Sequence, residues 1–76
     1  MTKVNAMSYS SPSTTFRVIR EAVISELDYA YIVVEHVTYY DGTTEYHANC
    51  YDHDDELARV QRFSSAPSDE DLLNDC

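Results

Sequence analysis

The only glycine in this chain, Gly42, sits in "DGTT" between two stretches rich in tyrosine and β-branched residues. A tight hairpin turn needs a residue that accepts positive φ, and glycine does so without steric cost. The two flanks read as strands. In "YAYIVVEHVTYY", Tyr29 to Tyr40, one face holds Tyr31, Val33, Val37 and Tyr39, and the other Ala30, Ile32, Val34 and His36. Glu35 interrupts the first face and predicts a bulge near the Glu35–His36 pair. "TEYHANCY" alternates more regularly, with Tyr46, Ala48 and Cys50 on one side and Glu45, His47, Asn49 and Tyr51 on the other.

A two-stranded hairpin is marginal alone, so its neighbours must complete a fold. Residues 1–11 are polar and read as a flexible N-terminal arm. "SPSTTFRVIREAVISELD" reads as a helix over 12–27: Ser13 or Thr14 serves as cap, and Phe16, Ile19, Val23 and Leu27 form an apolar stripe. "DHDDELARVQRFSSA" admits either a helix from Asp54 or a strand from about Leu57 to Ser64. We take the strand, which places the sheet over 28–64. "SDEDLLND" gives a short helical turn over 68–75, with Ser68 as cap, acids at the positive end of the helix dipole, and Leu72 and Leu73 to dock it. The expected architecture is a single α+β domain over 1–76, with one amphipathic helix packed on an antiparallel sheet of about three strands. A chain of 76 residues buries only about 60–65% of its unfolded surface, so its core is thin.

Charge excludes more than any motif. Fourteen acids face five bases, a net of −9. Residues 1–40 carry Glu21, Glu26, Asp28 and Glu35 against Lys3, Arg17 and Arg20, whereas residues 41–76 carry ten acids against Arg59 and Arg62. Such a chain repels nucleic acid and anionic lipid and favours partners of positive charge. No apolar run reaches the ~18–20 residues of a membrane span. The start "MTKVNAMSYSSPSTT" lacks the apolar stretch of a signal peptide, which predicts a cytoplasmic location. Two cysteines, Cys50 and Cys76, read as a core thiol and a loose one, because a reducing cytosol disfavours a disulfide. A monomer is expected, with dimerisation through Cys76 in air as the alternative.

Catalytic and metal chemistry find little footing. His47, Cys50 and His53 follow H-x2-C-x2-H spacing beside Asp52, Asp54 and Asp55, ligand types that zinc accepts. Three residues is an odd step on a strand, however, so His47 and Cys50 should point to opposite faces. One glycine cannot build a phosphate loop, and Cys50 in register with Tyr46 and Ala48 reads as core. We expect no enzyme, cofactor or metal. Seven tyrosines, six of them on the hairpin, suit both half-buried strand positions and a contact surface.

The remaining feature is an acidic surface. DNA carries about one negative charge per 1.7 Å of axis, and proteins that hold it present Lys and Arg. Carboxylates pair bidentately with arginine as phosphates do. Asp41, Glu45, Asp52, Asp54, Asp55, Glu56, Asp69, Glu70 and Asp71 are the candidate partner-binding residues, carried on the 41–45 loop, the 52–56 turn and the 69–75 tail. In size, in helix–hairpin order and in the acidic stretches "DGTTE", "DHDDE" and "SDEDLLND", the chain resembles phage and mobile-element anti-CRISPR proteins, the small acidic inhibitors of type I CRISPR systems. The resemblance implies a protein of the bacterial host cytoplasm that binds the surveillance complex, Cascade, through a DNA-mimicking face and blocks recognition of PAM-containing DNA. A type I-C system is the subtype it points to. Arg17 and Arg20 depart from a uniformly acidic mimic and restrict the mimicry to one face. The alternative is an acidic adaptor or regulatory subunit that binds through the tyrosine-rich hairpin.

Overall fold

The structure, a computed structural model, describes residues 13–76; the expected N-terminal arm over 1–11 lies outside them. Four strands, β1 (Thr15–Ala22), β2 (Tyr31–Thr38), β3 (Thr44–Tyr51) and β4 (Leu57–Phe63), precede one helix, α1 (Asp69–Asp75). The strands form an antiparallel meander in the order β1-β2-β3-β4. The α+β class therefore holds with a four-stranded sheet rather than three strands.

The segment expected to be a helix over 12–27 supplies the extra strand. Its residues explain both the expectation and the outcome. Thr14, Thr15, Val18, Ile19, Val23 and Ile24 are β-branched and lose rotamer freedom in a helix. β2 also needs a partner on its outer side. The register shifts between Val18 and Arg20, which leaves Ile19 as the extra residue of a bulge. Phe16 and Val18 then share a face with Glu21 instead of Arg20. A bulge thus turns steps of two into a step of three.

The hairpin is as read, with Gly42 at φ 91° and Tyr39 and Thr43 joined across the turn by a 2.8 Å backbone hydrogen bond. The bulge expected near Glu35–His36 is not on β2, which pairs with β3 in unbroken register; the irregularity lies across from it, on β1 opposite Val34 and Glu35. Glu35 stays in line because Asn49, from the neighbouring strand, donates a 2.7 Å hydrogen bond to it. A second irregularity falls instead between Cys50 and Tyr51, against β4.

The register sorts side chains onto two faces. One carries Arg20, Ala22, Ile32, Val34, Ala48, Cys50, Arg59 and Phe63, and α1 crosses it. Leu72 is fully buried there against Ala22, Ile24, Ile32, Val34, Ala48 and Cys50. Leu73 stays 37% exposed, so only one of the two expected leucines docks the helix. Ser68 and Asp71 form a reciprocal capping box. Arg20 reaches over the edge to Asp69 at 2.8 Å and to the Pro67 carbonyl at 2.9 Å, tying the start of α1 to β1. The opposite face bears Phe16, Val18, Tyr31, Val33, Tyr51, Leu57 and Val60 together with Glu21, Glu35, Glu45, His47, Asn49 and Arg62; Val37, also on this side, is fully buried, outside the cluster that Leu72 joins. Among the described residues no helix is long and apolar enough to cross a membrane.

Candidate partner-binding site at the acidic end

An antiparallel meander sends alternate connections to opposite ends of the sheet, and this divides the candidate acids. The β2–β3 turn with Asp41 lies at one end. The β3–β4 turn, residues 52–56, lies at the other, beside the β1–β2 connection, residues 23–30. That connection is fastened there by the Ala30 amide, which donates to the Tyr51 carbonyl at 2.8 Å. His53 Nε2 stands 4.0 Å from Asp28 Oδ1, too far for a hydrogen bond but close enough to show that the connection and the turn lie side by side. On its other flank the connection faces α1 across a groove of about 270 Å³ in which Glu26, Asp69 and Glu70 converge.

The fold therefore gathers Glu26 and Asp28, from the weakly charged first half of the sequence, with Asp52, Asp54, Asp55, Glu56, Asp69, Glu70 and Asp71 from the second. Glu26 and Asp28 escaped the sequence reading because it placed them at the end of a helix. Their signal was the turn-rich "SELD" between two β-branched runs. Asp41 is excluded from the group by a strand length of roughly 25 Å.

The nine candidate carboxylates also differ in what they hold. Glu45 is not in a loop: it lies on β3, its side chain only 17% exposed. Arg62 grips it with two hydrogen bonds of 2.8 and 3.1 Å, and Tyr39 and His47 each approach its Oε2 at 2.5 Å. The Arg62 guanidinium first, then Tyr39 and His47, hold its carboxyl down from the ordinary 4.5 to about 2. That charge is spent inside the protein and is not offered to a partner. A group depressed in the folded state stabilises fully above its unfolded value and loses that contribution as pH falls through its folded value. Stability should therefore decline between about pH 4.5 and 2, measured as the urea midpoint at successive pH values. An Arg62→Ala variant should show a shallower decline, and an equal slope in both proteins would contradict the assignment.

Asp52 and Asp55 are likewise occupied. Asp52 Oδ1 accepts from the Asp54 and Glu56 amides at 2.9 and 3.0 Å, folding the turn. Asp55 sits at φ 64°, a region aspartate tolerates better than most side chains, and accepts the Tyr31 hydroxyl. That bond pushes the Tyr31 phenol up to about 12. Asp71 closes the capping box and Asp69 takes Arg20. Asp28, Asp54, Glu56 and Glu70 remain, exposed and, among the described residues, without a hydrogen-bond donor to their carboxylates. They are the carboxylates most available to an incoming cation.

The H-x2-C-x2-H residues are not brought together. His47 faces Glu45 on the open side, Cys50 is in the core and His53 is 73% exposed in the turn. Among the described residues, no cluster of three or more His, Cys, Asp or Glu side chains is placed to hold a metal. Burial, with a further contribution from a hydrogen bond to Cys76, pushes the Cys50 thiol up to about 12, the opposite of an activated nucleophile. Cys76 is less loose than expected, since it packs half-buried against the core. The tyrosines divide too: Tyr31 and Tyr51 stack at 4.9 Å on the open face, whereas Tyr46 meets His36 on the helix side. No family model, curated protein or solved structure matches the chain.

Proposed function

We propose that this protein is a binding module that occupies a basic, nucleic-acid-binding protein surface through its acidic end. The observation that carries this reading is the convergence of residues 23–30, residues 52–56 and the first turn of α1 on one end of the sheet. Carboxylates from three separate segments meet there, and four of them have no donor of their own. Field lines from such an end reach a cationic groove before contact and raise the rate of encounter. Exposed carboxylates can then take arginine forks made for phosphate. The resemblance to inhibitors of type I CRISPR systems names the partner to test: the surveillance complex Cascade, in the bacterial cytoplasm, at its PAM-duplex site. The role is occlusion rather than catalysis.

The test is a competition assay. Purified protein is incubated with a type I surveillance complex and challenged with PAM-containing duplex at about 50 and 200 mM salt, a range over which contacts to many phosphates lose affinity steeply. Loss of duplex binding, strongest at the lower salt, is the expected result. Unimpaired duplex binding at both concentrations would remove Cascade from the proposal. Salt-insensitive inhibition would favour the second reading, an adaptor using the Tyr31–Tyr51 stack, because buried aromatic contacts are little screened.

A further inference from the structure

We infer that Cys50 and Cys76 form a disulfide site: a low-molecular-weight disulfide such as oxidised glutathione converts the pair, in the folded chain, to an intramolecular bond that fastens α1 to β3. The sequence holds two cysteines, and both are free thiols. Contacts from two sides draw them together. Cys50 is fully buried on the covered face of β3, in the cluster that Leu72 joins. One turn along α1 from Leu72, the Cys76 amide donates to the Leu72 carbonyl at 3.0 Å. Cys76 is thereby set over the same patch of core and packs half-buried against it. From the other side comes Arg59, the residue directly opposite Cys50 on β4. Its guanidinium donates to the Asp75 carbonyl at 3.4 Å, so the residue before Cys76 is tethered to the one paired with Cys50. Contact with Cys76 also adds to the burial that holds the Cys50 thiol up at about 12.

Exposure fixes the order of the steps. Cys76 is the reachable thiol, and its thiolate attacks one sulfur of oxidised glutathione. The oxidant's S–S bond breaks, one glutathione leaves as a thiolate and is protonated by solvent, and Cys76 carries the other. The Cys50 thiolate then attacks the Cys76 sulfur and expels the second glutathione, which is protonated in turn. Two protein thiols have lost two electrons and two protons, and the oxidant has become two reduced glutathiones. So raised a thiol as Cys50 is seldom ionised near neutral pH, which makes the second step the slow one. In a reducing compartment the pair stays open, and a rise in oxidised glutathione closes it. The bond pins the last turn of α1 across β3 and leaves the acidic first turn uncovered, so the site does not depend on the proposed function.

Intact-mass spectrometry of the full chain, equilibrated with reduced and oxidised glutathione and quenched in acid, tests the inference. A monomer lighter by two hydrogens and free of glutathione is expected, restored to the starting mass by dithiothreitol. Closing a loop of about 26 residues restricts the unfolded chain more than the folded one. The equilibrium constant for closure should therefore be at least about thirtyfold greater in the folded chain than in strong denaturant. By the same linkage the oxidised chain should show a urea midpoint higher by ~2 M or more. The oxidant should leave both mass and midpoint of Cys76→Ser unchanged. A persistent glutathione adduct on Cys76, a disulfide-linked dimer, or closure no more favourable in the folded chain than in denaturant would each overturn the inference.

Discussion

Leu72→Ala is expected to destabilise the fold by about 2–5 kcal/mol, the range for emptying a fully buried leucine site. Leu72 is 0% exposed, and it is the only residue of α1 that is buried. Without it the helix has no anchor in the core, and Ile32, Val34 and Cys50 lose their cover. The effect is large relative to the total, since a chain of this length carries roughly 4–11 kcal/mol of stability. With a urea slope of about 1 kcal/mol/M, the midpoint should fall by ~2 M or more. Leu73→Ala, one residue on but 37% exposed, serves as the control and should move the midpoint by a small fraction of that. Equal shifts for the two would mean that α1 is not docked through Leu72.

The second large effect concerns binding. Asp28→Asn, Asp54→Asn, Glu56→Gln and Glu70→Gln combined should leave folding within about 0.5 kcal/mol per site, as exposed substitutions usually do. None of these carboxylates accepts a hydrogen bond from the described chain, and Asp28 is fully exposed. If each carboxylate contributes about 0.5–1 kcal/mol to a cationic partner at low salt, inhibition should weaken by about thirtyfold or more. Asp41→Asn, at the far end of the sheet, should inhibit like the wild type. The choice of residues matters. Neutralising the whole "DHDDE" turn would also touch Asp52, which folds the turn through two backbone amides. A loss of binding could then reflect a lost turn. Wild-type inhibition by the fourfold variant, with its midpoint unchanged, would place the contact elsewhere.

The hairpin was legible because one glycine and two alternating runs leave a single local solution, and Tyr46, Ala48 and Cys50 do share the covered face. The terminal helix was equally legible, since Ser68 and the acids after it satisfy the same amides in any context. β4 was legible only as one of two readings, settled by β3 needing an outer partner. The stripe at Phe16, Ile19, Val23 and Leu27 misled because its helical spacing arises by coincidence across two different elements: Phe16 and Ile19 lie on β1, Ile19 as the extra residue of the bulge, and Val23 and Leu27 lie in the connection that follows.

Sequence by itself determined the local turns and caps and the overall excess of acid, because each depends on neighbouring residues or on composition alone. Only the tertiary structure decided which acids stand together. Strand pairing brings Glu26 and Asp28 beside residues more than twenty positions away, sends Asp41 to the opposite end, and locks Glu45 under Arg62. Those placements rest on register and on contacts between distant segments, and no window along the chain contains them.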